Sequence, residues 1–148
     1  MRAGDLLTGY PIVNLSTPVV AAARLLGERN LPGLIVVDAA DRPLTILPGT
    51  QVLRMAVPTY CLDDPALARV IDEPAADLFL GELAGRTVAE CLPERRQELA
   101  VVDPDATLLE IAALMARTRT PLVAVVDDDQ RLVGAITLHA LLDKMLPR

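Results

Sequence analysis

Laid over itself so that Pro32 falls on Pro121, the chain matches its own second half without a gap. Pro32-Gly33-Leu34-Ile35-Val36-Val37-Asp38 lies over Pro121-Leu122-Val123-Ala124-Val125-Val126-Asp127, Arg42 over Arg131 and Leu53 over Leu142. Upstream, Val13 meets Val102, Ala23 meets Ala112 and Leu25 meets Leu114. In a duplication of this kind each copy is one supersecondary unit, and neighbouring copies bury their apolar faces together. Two copies and a connector use up the 148 residues, which excludes a large multidomain enzyme.

Both copies spell the same string of elements. A short apolar segment comes first, Ile12-Val13 or Ala100-Val101-Val102. A helix start follows. In the second copy it is the capping-box pair Thr107 and Glu110, and in the first Ser16-Thr17-Pro18, with the proline suited to the first helical turn. Val19, Ala22, Ala23 and Leu26, and in the other copy Leu108, Ile111, Ala112 and Met115, recur at helical spacing and predict core-facing helices. We expect Val19, Leu26, Val36, Leu108, Met115 and Val125 to be buried. Aliphatic strands Leu34 to Val37 and Leu122 to Val126 then end in Asp38 and Asp127, which open polar turns. Strands Pro43 to Leu47 and Leu132 to Thr137 complete hairpins, and helices over Thr50 to Ala56 and His139 to Leu146 close the copies. The fold class is therefore α+β, two tandem β-α-β-β-α repeats packed with pseudo-twofold symmetry. Residues 1–56 form the first repeat, 57–85 a connector and 86–148 the second repeat. In the connector, Pro65 to Ile71 and Ala75 to Leu83 read as short helices, and Leu78, Phe79 and Leu83 as cover for a gap between the repeats. Gly85 to Glu90 resembles the chain start, so each repeat has a lead-in segment of its own.

Composition narrows the function. No apolar run approaches the roughly 18 residues of a membrane helix, so the expectation is a soluble chain with no direct membrane insertion. A net charge of -6, no Trp, one Phe and two Tyr leave neither a basic surface nor an aromatic platform, and DNA and RNA are poor partners. Cys61 and Cys91 fit no metal-ligand spacing and read as reduced structural thiols, consistent with a cytoplasmic chain. His139, the one histidine, has no second ligand at metal spacing. It reads as a surface residue, or as one that leans over the second-repeat cleft toward a phosphate or carboxylate. Asp127-Asp128-Asp129 lacks the Gly and Glu of a calcium loop and reads as a solvated turn. No nucleophile motif, phosphate-binding loop or zinc signature appears, so no catalytic residue and no metal site is expected.

Val125-Val126-Asp127-Asp128-Asp129-Gln130-Arg131-Leu132-Val133-Gly134-Ala135-Ile136-Thr137, set before a terminal helix, resembles the CBS domain. Two such units in tandem are similar to a Bateman module, and the resemblance covers almost the whole chain. It implies a regulatory, non-catalytic module that binds AMP, ATP, S-adenosylmethionine or a cyclic dinucleotide in clefts between the repeats. The family's ligand motif runs glycine, two residues, Thr or Ser, two residues, Asp, with hydroxyl toward phosphate and carboxylate toward ribose. Here those positions are Gly134, Thr137 and Ala140 in the second repeat, without the carboxylate, and Thr45, Pro48 and Gln51 in the first, where all three are replaced.

The resulting site expectation places Thr137 and the first free N–H groups of its helix around an anion. Gly134 lets a ligand approach the strand, Val102 and Pro121 line an apolar wall, Ala140 stands at the vacant ribose position and His139 beside it. The chain is expected to sense a small ligand and to act in trans on an enzyme or membrane transporter, as a homodimer. The alternative is a ligand-free dimeric scaffold whose clefts are filled by side chains. No cofactor is required by either reading.

Overall fold

In a computed structural model of the chain, residues 1–57, 59–70, 81–95 and 99–147 are described. The order is α1 (Ala3–Leu6), β1 (Ile12–Asn14), α2 (Val19–Glu28), β2 (Gly33–Val37), β3 (Pro43–Pro48), α3 (Gly49–Ala56) and α4 (Thr59–Asp63). A 3-10 segment (Pro65–Val70) follows, then α5 (Val88–Cys91), β4 (Val101–Val102), α6 (Leu108–Thr118), β5 (Leu122–Val126), β6 (Leu132–Thr137) and α7 (Leu138–Met145). The fold is α+β with two three-stranded sheets, ordered β1-β2-β3 and β4-β5-β6. Pro65 to Ile71, expected as a short helix, is a 3-10 helix over Pro65–Val70, and Ile71 lies outside the described residues. The expected cover residues Leu78 and Phe79 lie outside the described residues, and Leu83 is buried.

The duplication reaches the backbone itself. Asp38 Oδ1 accepts from the amides of Ala40 and Arg42, and Asp127 Oδ1 from those of Asp129 and Arg131. The Asp127 carboxylate is thus the acceptor that closes a hairpin turn. Asn30 and Arg119, one in each copy after the first long helix, share positive φ (52° and 55°), as do Asp41 and Gln130 in the two hairpins (61° and 65°). The start signal of the long helix fails to repeat. Thr107 Oγ1 caps α6 by accepting from the Glu110 amide, whereas the N-cap of α2 is Pro18 and Thr17 Oγ1 accepts from the Asn14 amide instead.

Contacts gather the described residues into two compact units that do not follow sequence order. Unit 1 holds residues 1–12, 35–46 and 97–148, and unit 2 holds 13–34 and 47–96. In unit 1, β4 runs parallel to β5 (Val101↔Ala124), joined through α6, and β5 pairs antiparallel with β6 (Val125↔Gly134). Every residue of β5 is buried, and because side chains alternate along a strand the two faces serve two cores. Val123 and Val125 pack with Ala3, Leu6, Ile111, Met115 and Leu141, while Leu122 and Ala124 pack with Ile35, Val37 and Ile46. Of the six residues expected to be buried, Val19, Val36, Met115 and Val125 are, and Leu26 and Leu108 are half-buried.

The lead-in helices are exchanged. α1, from the chain start, belongs to unit 1, where the amides of Ala3 and Gly4 donate to the carbonyls of Ala106 and Pro104. α5, the lead-in of the second repeat, belongs to unit 2, where the amides of Val88 and Ala89 donate to Thr17 and Leu15. In both cases the first free donors of a short helix find the turn ahead of a long one.

Candidate functional site

Leu122 to Thr137 forms a hairpin, buried along all of β5 and at Gly134 to Ile136 of β6, whose last residue turns the chain from β6 into α7. Thr137 is half-buried at the N-cap of α7, and its hydroxyl accepts from the Ala140 amide at 3.1 Å. A capping hydroxyl keeps its own proton, so this group still has one donor to offer. The start of α7 is fixed from below as well, because the Leu138 amide donates to the Pro121 carbonyl at 2.8 Å. The first repeat holds the same strand-to-helix junction, Gly49 N to Pro32 O at 3.2 Å, but its N-cap is Pro48 and no side chain caps it.

Gly134 is buried, and its bare Cα faces the chain's own lead-in rather than open space. A Cβ there would stand 2.8 Å from Leu7 Cδ1 and 2.9 Å from Thr8 O. Thr8 and Ala135 exchange backbone hydrogen bonds just beyond, which sets that segment against β6. The room that the sequence reading reserves for a ligand over Gly134 is taken by Leu7 and Thr8.

Val102, Pro121 and His139 line three separate depressions. Val102 lines a groove of about 410 Å³ together with Asp103, Glu110, Asp127 and Asp128, four carboxylates that repel an anion. Pro121 lines a different groove of about 450 Å³ whose walls are apolar, from Ala112, Met115, Leu138, Leu141, Leu142 and Met145, with Arg119 at its edge. His139 is exposed on α7 beside Leu142, Asp143, Leu146 and Pro147. Val102 and Pro121 thus line two different grooves, and Ala140, half-buried, supplies only a methyl group. Among the described residues no group of three or more His, Cys, Asp or Glu is placed to hold a metal ion.

Two features escaped the sequence reading. Arg119 takes a left-handed conformation at the C-cap of α6, which puts a cation beside Pro121. Its signal was the polar run Arg117-Thr118-Arg119-Thr120 across the end of the helix. Gln51, at the first repeat's carboxylate position, donates from Nε2 to the Cys91 carbonyl at 3.0 Å. No local pattern announces that bond, because its partners lie in different repeats.

The comparisons agree with this architecture. The CBS domain model matches residues 90–147. A CBS domain-containing protein of unknown function from Kribbella flavida DSM 17836 is 48% identical, over 99% of this chain and 99% of that one, with a TM-score of 0.90. With that likeness across both repeats, the chain belongs to the CBS-domain family, as a tandem CBS pair. The CBS domain of a CBS domain-containing membrane protein from Sphaerobacter thermophilus is similar in fold, 23% identical over 100% of this chain and 90% of that chain (TM-score 0.74). So is CBSX2, a CBS-pair protein of Arabidopsis thaliana, 22% identical over 97% of this chain and 92% of that chain (TM-score 0.73). CBSX2 has also been solved in complex with AMP; that structure is 24% identical over 97% of this chain and 94% of that one (TM-score 0.67). No curated protein matches the sequence.

Proposed function

We propose that this CBS pair is a regulatory, non-catalytic chain that senses an adenine nucleotide through its second repeat, pairs as a homodimer and acts in trans on an enzyme or transporter. The observation that carries the nucleotide reading is Thr137, whose hydroxyl stands at the β6-to-α7 junction with a proton left to donate. Phosphate contacts of this kind are charge-assisted and strong relative to neutral hydrogen bonds. CBSX2, which shares the fold, binds AMP. With Ala140 in place of a ribose-binding carboxylate, affinity for AMP or ATP is weak and comes mainly from the phosphate.

Calorimetric titration tests this directly. Ala140→Asp, which restores the acceptor for two ribose hydroxyls, should raise AMP or ATP affinity over the parent. Thr137→Ala should lower it, at a cost of about 1 kcal/mol in stability for the lost cap. Thr137→Ser keeps both hydroxyl and cap, and should behave as the parent does. A specific observation favours a second reading, the ligand-free scaffold: Leu7 and Thr8 occupy the space over Gly134. A ligand at a hundredfold excess over its dissociation constant stabilises the native state by about 2.7 kcal/mol. Flat melting curves across adenine nucleotides, cyclic dinucleotides and S-adenosylmethionine, with no binding by Ala140→Asp at millimolar concentration, would make the scaffold the correct reading.

A further inference from the structure

In unit 2 a reciprocal pair of hydrogen bonds joins α3 to the short lead-in helix α5. Gln51 Nε2 donates to the Cys91 carbonyl at 3.0 Å, and the Cys91 thiol donates to the Gln51 carbonyl at 3.8 Å. Cys91 ends α5, so its carbonyl is one of those that a helix leaves without an internal partner. The Gln51 amide supplies that partner. Burial pushes the Cys91 thiol pKa up, which keeps it a neutral donor instead of a reactive thiolate.

Among the described residues, unit 1 shows no such pair. There the lead-in helix is α1, and the residue matching Gln51 is Ala140, whose side chain has no donor. The other two motif positions of the first repeat agree with this difference, since Thr45 is buried where the second repeat has Gly134 and Pro48 offers no hydroxyl where it has Thr137.

We infer that Gln51 and Cys91 form a latch that pins α5 on α3 and closes the first-repeat ribose position, so that each chain takes nucleotide in its second repeat alone. The latch stands on the geometry of unit 2, while the one-site consequence rests on the nucleotide reading above. Gln51 is a positioning residue, and its removal frees α5 to lift and expose Cys91.

Thiol labelling by N-ethylmaleimide in a Cys61→Ser background reads the latch without any nucleotide. Gln51→Ala should speed modification of Cys91 by about tenfold, the size expected for one lost hydrogen bond to a buried partner. Gln51→Leu, which keeps the volume and loses the donor, should do the same and serves if the alanine variant fails to fold. Leu53→Ala, at an exposed position on the same helix, should label at the parent rate. Labelling of both Gln51 variants at the parent rate overturns the latch. Calorimetry on the unaltered chain reads the consequence, with one nucleotide per chain expected and two overturning it. Absence of binding overturns the nucleotide reading and the one-site consequence together, and the labelling rates still decide the latch.

Discussion

At Gly134 the missing side chain serves the chain's own packing. The strand pairs there with Val125 while Leu7 and Thr8 press on it from the lead-in, and one of the two near atoms is a backbone oxygen that cannot rotate away. Gly134→Ala should therefore destabilise the protein by about 1–3 kcal/mol, the usual cost of overpacking a core. Denaturant midpoints check this. Leu7→Ala in the same chain should recover part of the loss, because Thr8 O remains. A Gly134→Ala protein as stable as its parent would show that the lead-in yields easily. That Gly134 is a special position was legible from the CBS-like motif; what it accommodates was not, since Leu7 belongs to the other repeat.

At the scale of elements, the strands, hairpin turns and long helices follow from local pattern. Alternation and an aspartate at each turn act within a few residues and are carried by both copies, while a capping hydroxyl starts the helices of the second repeat alone. α1 and α5 are different. Each has four residues, too few to be stable alone, and each is held by carbonyls from the opposite repeat, α1 by apolar contacts as well. Leu6 is buried with Ile111, Val123 and Leu141, so Leu6→Ala should cost about 2–5 kcal/mol despite lying in a four-residue helix at the chain start. Hydrogen exchange should then quicken at the amides of Ala3, Gly4, Thr8 and Ala135, which these contacts hold. Unchanged protection at those amides would mean that α1 is not anchored through Leu6.

For the whole molecule, the proposed pairing of two copies has an apolar surface to use. Leu138, Leu142, Met145 and Leu146 recur along one side of α7, from 42% to 61% exposed, beside the apolar groove lined by Met115 and Pro121. Apolar surface gathered in this way marks an interaction face, and a two-fold pairing covers it with its own copy. Leu142→Asp places a charge in that face without touching the core, and should turn a dimer into a folded monomer of about 16 kDa by light scattering. A parent chain that scatters as a monomer at high micromolar concentration would refute the pairing.

The sequence by itself determined the duplication, the α+β class, nearly every strand and long helix, and the aspartate-closed turns, because those depend on side-chain period and on hydrogen bonds a few residues long. Tertiary structure alone decided that the lead-in helices change places, that Leu7 and Thr8 cover Gly134, that Val102 and Pro121 face different grooves, and that Gln51 is spent on Cys91. The reason is physical. The orphan donors and carbonyls of a short helix, and the bare Cα of a glycine, are satisfied by whichever segment packs against them, and here that segment comes from the other half of the chain.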